Sequence, residues 1–173
     1  LSDAGAAGPL GAAAASPSNL VLQGGTLKYV GGSADSTDRG FTVSGSSGIS
    51  TDQDITFSGK VTGAPQTSNF TKTGAGGLKL SSVLSDMSFK NLYVNQGSLS
   101  LEGTSTTKPT YTVLDGLYGD LVVGDANAAT LNLTDVNLAF GSGNAYIGNG
   151  SGATGFVNIN SGAKITGENQ FWW

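Results

Sequence analysis

Length, composition and charge restrict this chain to a few classes of protein. It has 173 residues, of which 28 are glycine and only 12% are charged, about half the share found in an average soluble domain. The net charge of -4 and the single arginine argue against nucleic-acid binding, because phosphate contacts need clustered cations. The absence of cysteine and histidine removes thiol chemistry, imidazole catalysis and most transition-metal sites.

The N-terminal stretch LSDAGAAGPLGAAAASPS shows no periodic apolar pattern. Pro9 and Pro17 cannot donate a backbone hydrogen bond, and Gly11 interrupts the alanine-rich run, so no more than a short helical turn is expected. The stretch also lacks the basic start and long apolar run of a secretory signal. We predict that residues 1–18 form an N-terminal cap or linker, that residues 19–170 carry repeats, and that residues 171–173 form a separate aromatic end.

One phrase recurs along the chain. NLVLQGGTLKY at 19–29 aligns with NLYVNQGSLSL at 91–101, and shorter copies begin at Asp54, Asp120 and Asn144. Each copy starts with Asn or Asp, alternates apolar with polar residues and ends in small polar residues, and a second alternating pair follows it. This pattern predicts short strands with one buried face, separated by turns in which Gly, Asn or Asp adopts a positive φ.

Strands this short do not form an independent sheet, but stacked units bury their apolar faces in continuous columns. The sequence therefore predicts an all-β fold, a parallel β-solenoid of about seven coils with about 25 residues in each. A β-sandwich also has short alternating strands, yet its strands need not resemble one another as these do. The choice between Tyr146 and Ile147 is open, and the other expected inward positions are Leu20, Leu22, Leu92, Val94, Leu121 and Val123.

The order of these phrases resembles that of autotransporter-associated β-strand repeat proteins. FTKTGAGGLKLSS at 70–82 and NLYVNQGSLSLEG at 91–103 are similar to that repeat, a Thr-Lys-x-Gly-x-Gly-x-Leu-x-Leu run followed by a Val-x-x-Gly-x-Leu run. Residues 19–32, 36–43 and 146–166 resemble other phrases of the same proteins. The resemblance implies a right-handed parallel β-helix passenger of a Gram-negative secreted or surface protein, with this chain as part of a longer one.

Two motifs are candidates for chemistry. GSGATG at 150–155 matches the G-x-G-x-x-G fingerprint of dinucleotide sites, but phosphate binding needs a helix after the loop, and FVNIN predicts a strand. We interpret this motif as a corner turn. Asp52 and Asp54 are a pair of carboxylates suited to calcium or to glycan cleavage. Because the chain has no repeated acidic motif and only one arginine, we interpret them as solvated turn residues.

Polar side chains suggest two further sites. In STDRGF, Asp38 and Arg39 place an acid and an arginine beside an aromatic residue. A surface ion pair contributes under about 1 kcal/mol, so we expect Arg39 instead to bind backbone carbonyl groups and fix a loop. Other polar residues are expected on exposed strand faces, where they either bind a glycan or a protein or are simply solvated: Thr42, Thr56, Thr71, Thr130 and Asn132.

The chain ends on three aromatic residues, Phe171, Trp172 and Trp173. Contiguous exposed apolar groups usually mark a contact surface. These residues are expected either to cover the last coil, to precede further chain, or to contact a neighbouring molecule.

Together these features predict a structural or adhesive segment of a bacterial extracellular or cell-surface protein, within a longer rod or assembled end to end into filaments. The expected partners are further repeats of the same chain or identical subunits, with surface glycans or proteins as further candidates, and neither nucleic acid nor membrane insertion is expected. The chain is predicted not to be an enzyme, and no catalytic, cofactor-binding or metal-binding residue is assigned. The alternative is a glycan-binding or glycan-cleaving β-helix. A concave acidic groove would favour this alternative, whereas uniform Ser/Thr faces favour the structural role.

Overall fold

Short parallel strands make up nearly all of the regular structure. The computed structural model describes residues 1–63, 67–82, 87–113, 119–167 and 171–172. In these ranges it contains one turn of 3-10 helix, Pro17–Asn19, and twenty strands, numbered β1 to β20 in chain order. Strands three apart in that order are neighbours in space, so each turn of the chain contributes one strand to each of three faces.

The three faces divide the strands as follows. The first face holds two parallel sheets with β1 (Val21–Leu22), β4 (Phe41–Val43) and β7 (Val61–Gly63), then β10 (Met87–Phe89), β13 (Thr110–Val113), β16 (Asn137–Phe140) and β19 (Lys164–Thr166). The second face is one sheet of β2 (Thr26–Tyr29), β5 (Ser47–Thr51), β8 (Asn69–Thr73), β11 (Asn91–Val94), β14 (Leu121–Val123), β17 (Ala145–Ile147) and β20 (Phe171–Trp172). The third face is one sheet of β3 (Asp35–Thr37), β6 (Ile55–Phe57), β9 (Gly77–Leu80), β12 (Gly97–Glu102), β15 (Ala129–Thr134) and β18 (Gly155–Asn160).

The predicted all-β parallel solenoid is confirmed, but the predicted number of coils was slightly too high. The described strands form about six turns, followed by β19 and β20. The period is not constant, because the paired residues Phe41 and Val61 are 20 positions apart while Leu99 and Leu131 are 32 apart. Dividing the chain length by an average period therefore overestimates the turns, since long connections and the N-terminal stretch use residues that add no strand.

Apolar side chains form columns along the interior. Leu92 pairs with Leu121 and Val94 pairs with Val123, and all four are buried as predicted. Leu22 is buried, while Leu20 packs against the core from a half-buried position. In the next turn Ile147 continues the column of Val94 and Val123, whereas Tyr146 pairs with the outward Val122. The open choice between these two residues is therefore settled in favour of Ile147.

Four phenylalanine rings fill the interior of the first half of the solenoid. Phe41 meets Phe57 edge-on with ring centroids 5.2 Å apart, and it stacks on Phe70 at 6.2 Å. Phe70 stacks in turn on Phe89 at 5.3 Å. Each ring is at most 1% exposed, so its burial contributes roughly 1.5 to 3 kcal/mol to stability in addition to the ring contacts themselves.

The Asn and Asp residues at the heads of the repeated phrase form a ladder between turns. The Asn91 Nδ2 donates to Asn69 Oδ1 at 2.8 Å, and Asn91 Oδ1 accepts the Asp120 backbone N–H at 2.7 Å. The Asp120 Oδ1 accepts the Asn144 N–H at 3.0 Å. The predicted heads at 91, 120 and 144 are therefore equivalent positions in successive turns, and Asn69 is a further member that the sequence comparison did not identify.

Glycine is required where the second face turns into the third. Gly74 directly follows β8 with φ of 80°, and a Cβ there would clash with the backbone of Thr51 in the preceding turn. Gly97 has φ of 68°, and its Cβ would overlap the carbonyl oxygens of Gly74 and Gly76. At this corner the backbones of consecutive turns approach too closely to leave room for a side chain. The backbone also has a positive φ there, which glycine adopts readily.

The two longest copies of the repeated phrase occupy different faces. In the first copy, Leu27 lies on the second face and pairs with Ile49. In the second copy, the aligned Leu99 lies on the third face and pairs with Leu78 and Leu131. The alignment of these two copies therefore does not mark equivalent positions of the solenoid, because every corner joins two short strands through similar Gly, Asn and Ser residues.

The predicted division into residues 1–18, 19–170 and 171–173 remains a prediction. The helical turn at Pro17–Asn19 lies at the first of these boundaries. Trp173, in the predicted aromatic end, lies outside the described residues. Among the described residues, no helix is long and apolar enough to cross a membrane.

Candidate functional site

The side chain of Arg39 binds four backbone carbonyl groups of the N-terminal stretch. Arg39 follows β3 and is only 4% exposed. Its Nε donates to the Ser2 carbonyl oxygen at 3.1 Å, while its Nη2 donates to those of Asp3 and Ala6 at 3.3 Å and of Gly11 at 2.7 Å. The guanidinium group therefore holds together parts of the chain that are up to nine residues apart from one another.

Residues beside Arg39 fasten the same stretch. Asp38 Oδ1 accepts the Ala4 N–H at 2.6 Å, and the Asp38 N–H donates to Asp3 Oδ1 at 3.1 Å. The Thr37 hydroxyl donates to the Ser2 carbonyl oxygen at 3.0 Å. Within the described ranges Arg39 forms no salt bridge, and these contacts confirm the expectation that it fixes a loop through carbonyl groups.

Asp52 and Asp54 do not form a joint site. Asp52 pairs with Lys28 at 3.2 Å, and both side chains are more than half exposed. Asp54 Oδ1 accepts the Gly77 backbone N–H of the next turn at 2.7 Å. Each carboxylate thus has a separate structural partner, and no group of three or more potential metal ligands occurs among the described residues.

The glycine-rich GSGATG sequence forms a corner, as interpreted from the sequence. It lies in the turn between β17 and β18, and β18 starts at Gly155, the last residue of the motif. Gly152 has φ of 79° and no heavy atom near its Cβ position, which is typical of an open turn. A strand rather than a helix follows the turn, so the helix N-terminus that a dinucleotide site requires is missing at this point.

Polar side chains form a continuous ladder on the outer surface of the third face. Asn132 Nδ2 donates to Ser100 Oγ at 3.2 Å, and Asn158 Nδ2 donates to Asn132 Oδ1 at 2.8 Å. We call these three residues the polar ladder. In register beside it lie Ser98, Thr130 and Phe156, of which Phe156 is 56% exposed. The result is a surface rich in hydroxyl and amide groups, with Phe156 at one end and the Lys79–Glu102 ion pair at the other.

The other predicted polar positions are spread over all three faces. On the first face Thr42 and Thr62 share a hydrogen bond of 2.9 Å between their hydroxyl groups. Thr71 lies on the second face, in register with Tyr93, and Thr56 lies on the third face, in register with Lys79. The structure therefore does not bring all the predicted Thr and Asn residues into one site. Thr56, Thr130 and Asn132 share the outer surface of the third face, with Thr56 three turns before Asn132.

Lys72 is an inward-facing lysine that sequence analysis missed. Its side chain is fully buried, and its Nζ donates to three carbonyl oxygens: Thr73 at 2.7 Å, Gly74 at 2.9 Å and Gln96 at 3.2 Å. These bonds match the three N–H groups of an ammonium ion. Because Gln96 belongs to the following turn, Lys72 links two consecutive turns through their corners.

The surroundings of Lys72 are mainly apolar. Its register partners are Ile49 in the preceding turn and Val94 in the following turn. Burial lowers the pKa of Lys72 to about 8, an effect that the charge of Asp54 partly opposes. The sequence did contain a signal for this orientation. Side chains two positions apart in a strand lie on the same side, so an inward Phe70 predicts an inward Lys72.

The C-terminal aromatic residues extend the second face. Phe171 and Trp172 form β20, which pairs in parallel with β17 at Ala145 and Tyr146. The described geometry concerns their backbone alone. The expectation that the three aromatic side chains cover the last coil or contact a neighbour remains a prediction.

Comparison with known proteins agrees with this architecture. Over 96% of its length the chain is similar to the Adhesin BmaC autotransporter of Brucella suis biovar 1 (strain 1330), with 32% identity over 193 aligned residues. The chain is a β-solenoid of the autotransporter passenger type. This autotransporter-like solenoid spans about 5% of the length of that relative. No family model and no solved structure matches the chain.

Proposed function

We propose that this chain is a structural or adhesive segment of a bacterial surface or extracellular protein, in which the solenoid forms a rod and presents the polar ladder to its surroundings. The observation that carries the proposal is the uninterrupted ladder of Ser100, Asn132 and Asn158 on a parallel sheet. Such a surface offers donors and acceptors at the regular spacing of the strands, about 4.8 Å. It suits binding to glycan hydroxyl groups or to protein backbone.

Similarity to a protein named an autotransporter adhesin supports both the role and a surface location. Antibodies raised against this chain are expected to label intact cells of the source bacterium without permeabilisation. Labelling only after the cells are broken would contradict a surface location.

The alternative function is a glycan-binding or glycan-cleaving β-helix. Phe156 beside the polar ladder favours glycan binding, because an exposed ring can stack on a sugar. Cleavage is disfavoured, since Asp52 and Asp54 have separate partners and the single arginine binds the N-terminal stretch.

We expect no hydrolytic or metal-dependent activity. Incubation with a panel of polysaccharides should release no reducing sugar, and addition of a chelator should leave the melting temperature unchanged. The Asp52→Asn/Asp54→Asn double variant is the matched control for any sugar that is released or any shift with chelator. Sugar release or a chelator-dependent melting temperature that this variant abolishes would show that the carboxylates form a site after all.

We further propose that the solenoid continues end to end, either into further turns of a longer chain or into a second copy. The inward-facing Ile159 is 55% exposed, whereas Leu133, its partner in the preceding turn, is fully buried. The sixth turn therefore presents apolar interior at its far side. Open strand edges of this kind favour the addition of further strands. Stacked copies would form a heterologous, open assembly with the C-terminal aromatic residues at the junction.

Deleting residues 171–173 should shift this chain toward the monomer. We expect sedimentation velocity to show concentration-dependent oligomers of the intact chain, and electron microscopy to show short rods. The Phe171→Ser/Trp172→Ser/Trp173→Ser variant keeps the chain length and separates the loss of the aromatic side chains from the loss of backbone. An intact chain that is strictly monomeric and unchanged in stability by the deletion would leave end-to-end stacking of copies without support.

A further inference from the structure

We propose that residues 2–16 form a strap that opens and closes as one unit over the edge of β3, with Arg39 as its latch. No side chain in this stretch is buried. Leu1, just before the strap, packs against the core and its amino group pairs with Asp35, but the strap itself is held by hydrogen bonds rather than by apolar packing. Segments with few buried apolar contacts open at a lower free energy than the core of a domain does.

The bonds that hold the strap converge on a few residues of the first turn. The Arg39 side chain contacts all four of the carbonyl groups of Ser2, Asp3, Ala6 and Gly11, and Thr37 adds a second bond to that of Ser2. Because one guanidinium group binds four points along the strap, releasing it weakens all four at once. Opening is therefore expected to be cooperative along the strap instead of fraying from one end.

The space beneath the strap is incompletely filled. A cavity of about 460 Å³ lies between it and the first turns. Pro9 and Leu10 line the strap side, and Leu27, Tyr29 and Ile49 are among the residues on the solenoid side. Close packing normally adds dispersion contacts that hold a segment down, and these contacts are reduced here. The latch thus carries a larger share of the stability of the strap.

Opening exposes the edge of the third face. With the strap closed, Thr37 and Asp38 are bonded to Ser2, Asp3 and Ala4. With the strap open, these groups lose their partners beside β3, the edge strand of its sheet, and an uncovered edge strand accepts another strand. The strap therefore controls whether the first turn presents a closed or an open edge.

Two adjacent backbone amides give a direct test by hydrogen exchange. The Gly40 N–H donates to the Ala15 carbonyl group next to the latch contacts, at 3.1 Å, whereas the Phe41 N–H donates to the Lys60 carbonyl group of the next turn, also at 3.1 Å. In the unmodified protein, we expect Gly40 to exchange at least about tenfold faster than Phe41 and at a rate shared with the Ala4 N–H, which bonds the strap to Asp38 Oδ1. Equal protection of Gly40 and Phe41 would overturn the proposal.

Variants of Arg39 test the latch itself. Arg39→Lys keeps the charge but cannot bind all four carbonyl groups, so exchange at Gly40 and Ala4 should increase about tenfold or more while exchange at Phe41 is unchanged. Lys28→Gln is the control, because it removes an exposed cation from the same turn. If the strap amides of Arg39→Lys exchange at the same rate as in the unmodified protein, Arg39 is not the latch. If the variant fails to fold, the comparison of Gly40 with Phe41 in the unmodified protein decides alone.

Discussion

Replacing Leu92 with aspartate is expected to unfold the central turns of the solenoid, with a loss of more than about 4 kcal/mol in the free energy of unfolding. Leu92 is 1% exposed and lies in register between Phe70 and Leu121. The inward-facing cation of the neighbouring turn, Lys72, already donates to three carbonyl oxygens, so a carboxylate at this position would gain a partner only by disrupting those bonds. Because each turn is held by the turns on either side, the damage should extend to both neighbours.

The control for this substitution is Ser100→Asp in the same turn. Ser100 faces outward and pairs in register with Lys79, so a carboxylate there is solvated and beside a cation. Its effect should stay within about 0.5 kcal/mol. Thermal unfolding followed by circular dichroism distinguishes the two variants. A Leu92→Asp protein that melts with the transition of the unmodified chain would contradict the stacking of turns around a shared interior.

Raising the pH from about 8 to about 10.5 is expected to stabilise the fold through Lys72, by up to about 3 kcal/mol. Burial lowers the pKa of Lys72 from 10.5 to about 8. Within this window the folded protein has released a proton that the unfolded chain still binds, so the free energy of unfolding rises with pH. Below about pH 8 both states bind the proton, and the full cost of burying the charge remains.

Lys72→Met isolates this contribution. Methionine fills a similar volume without a titrating group, so the rise between pH 8 and pH 10.5 should disappear. Lys79→Met, in the same repeat motif but with a side chain 44% exposed, should retain it. Urea unfolding at several pH values measures the difference, and comparison between variants cancels the tyrosines, including Tyr93, whose pKa burial raises. Identical pH profiles for the unmodified protein and Lys72→Met would contradict a charged, buried Lys72.

The local features of this fold were predictable because they depend on neighbouring residues alone. Alternation identified the inward Leu92 and Val94, and the repeated polar heads at Asn91 and Asp120 identified equivalent positions in successive turns. The carbonyl contacts of Arg39 were also expected, since a partly covered arginine in a coil rich in Ser and Thr binds neighbouring backbone carbonyl groups.

Features that depend on which face of the solenoid a strand occupies, or on the register between turns, could not be predicted from neighbouring residues alone. Leu27 and Leu99 follow the same local phrase but lie on different faces, because nothing in the phrase specifies which corner it makes. The inward direction of Lys72 was missed because a lysine is normally expected in solvent, although alternation with Phe70 indicated otherwise. The polar ladder joins residues from three turns, so it appears only when the register between the turns is known.

Because its turns contain different numbers of residues, the length of this rod is not proportional to the length of its sequence. Adjacent strands lie about 4.8 Å apart whether 20 or 32 residues connect them, so each turn adds the same axial rise. The exposed connection at 104–108 widens the rod locally without lengthening it. Insertions at such corners can therefore add new recognition loops during evolution while the distance between the two ends of the rod stays constant.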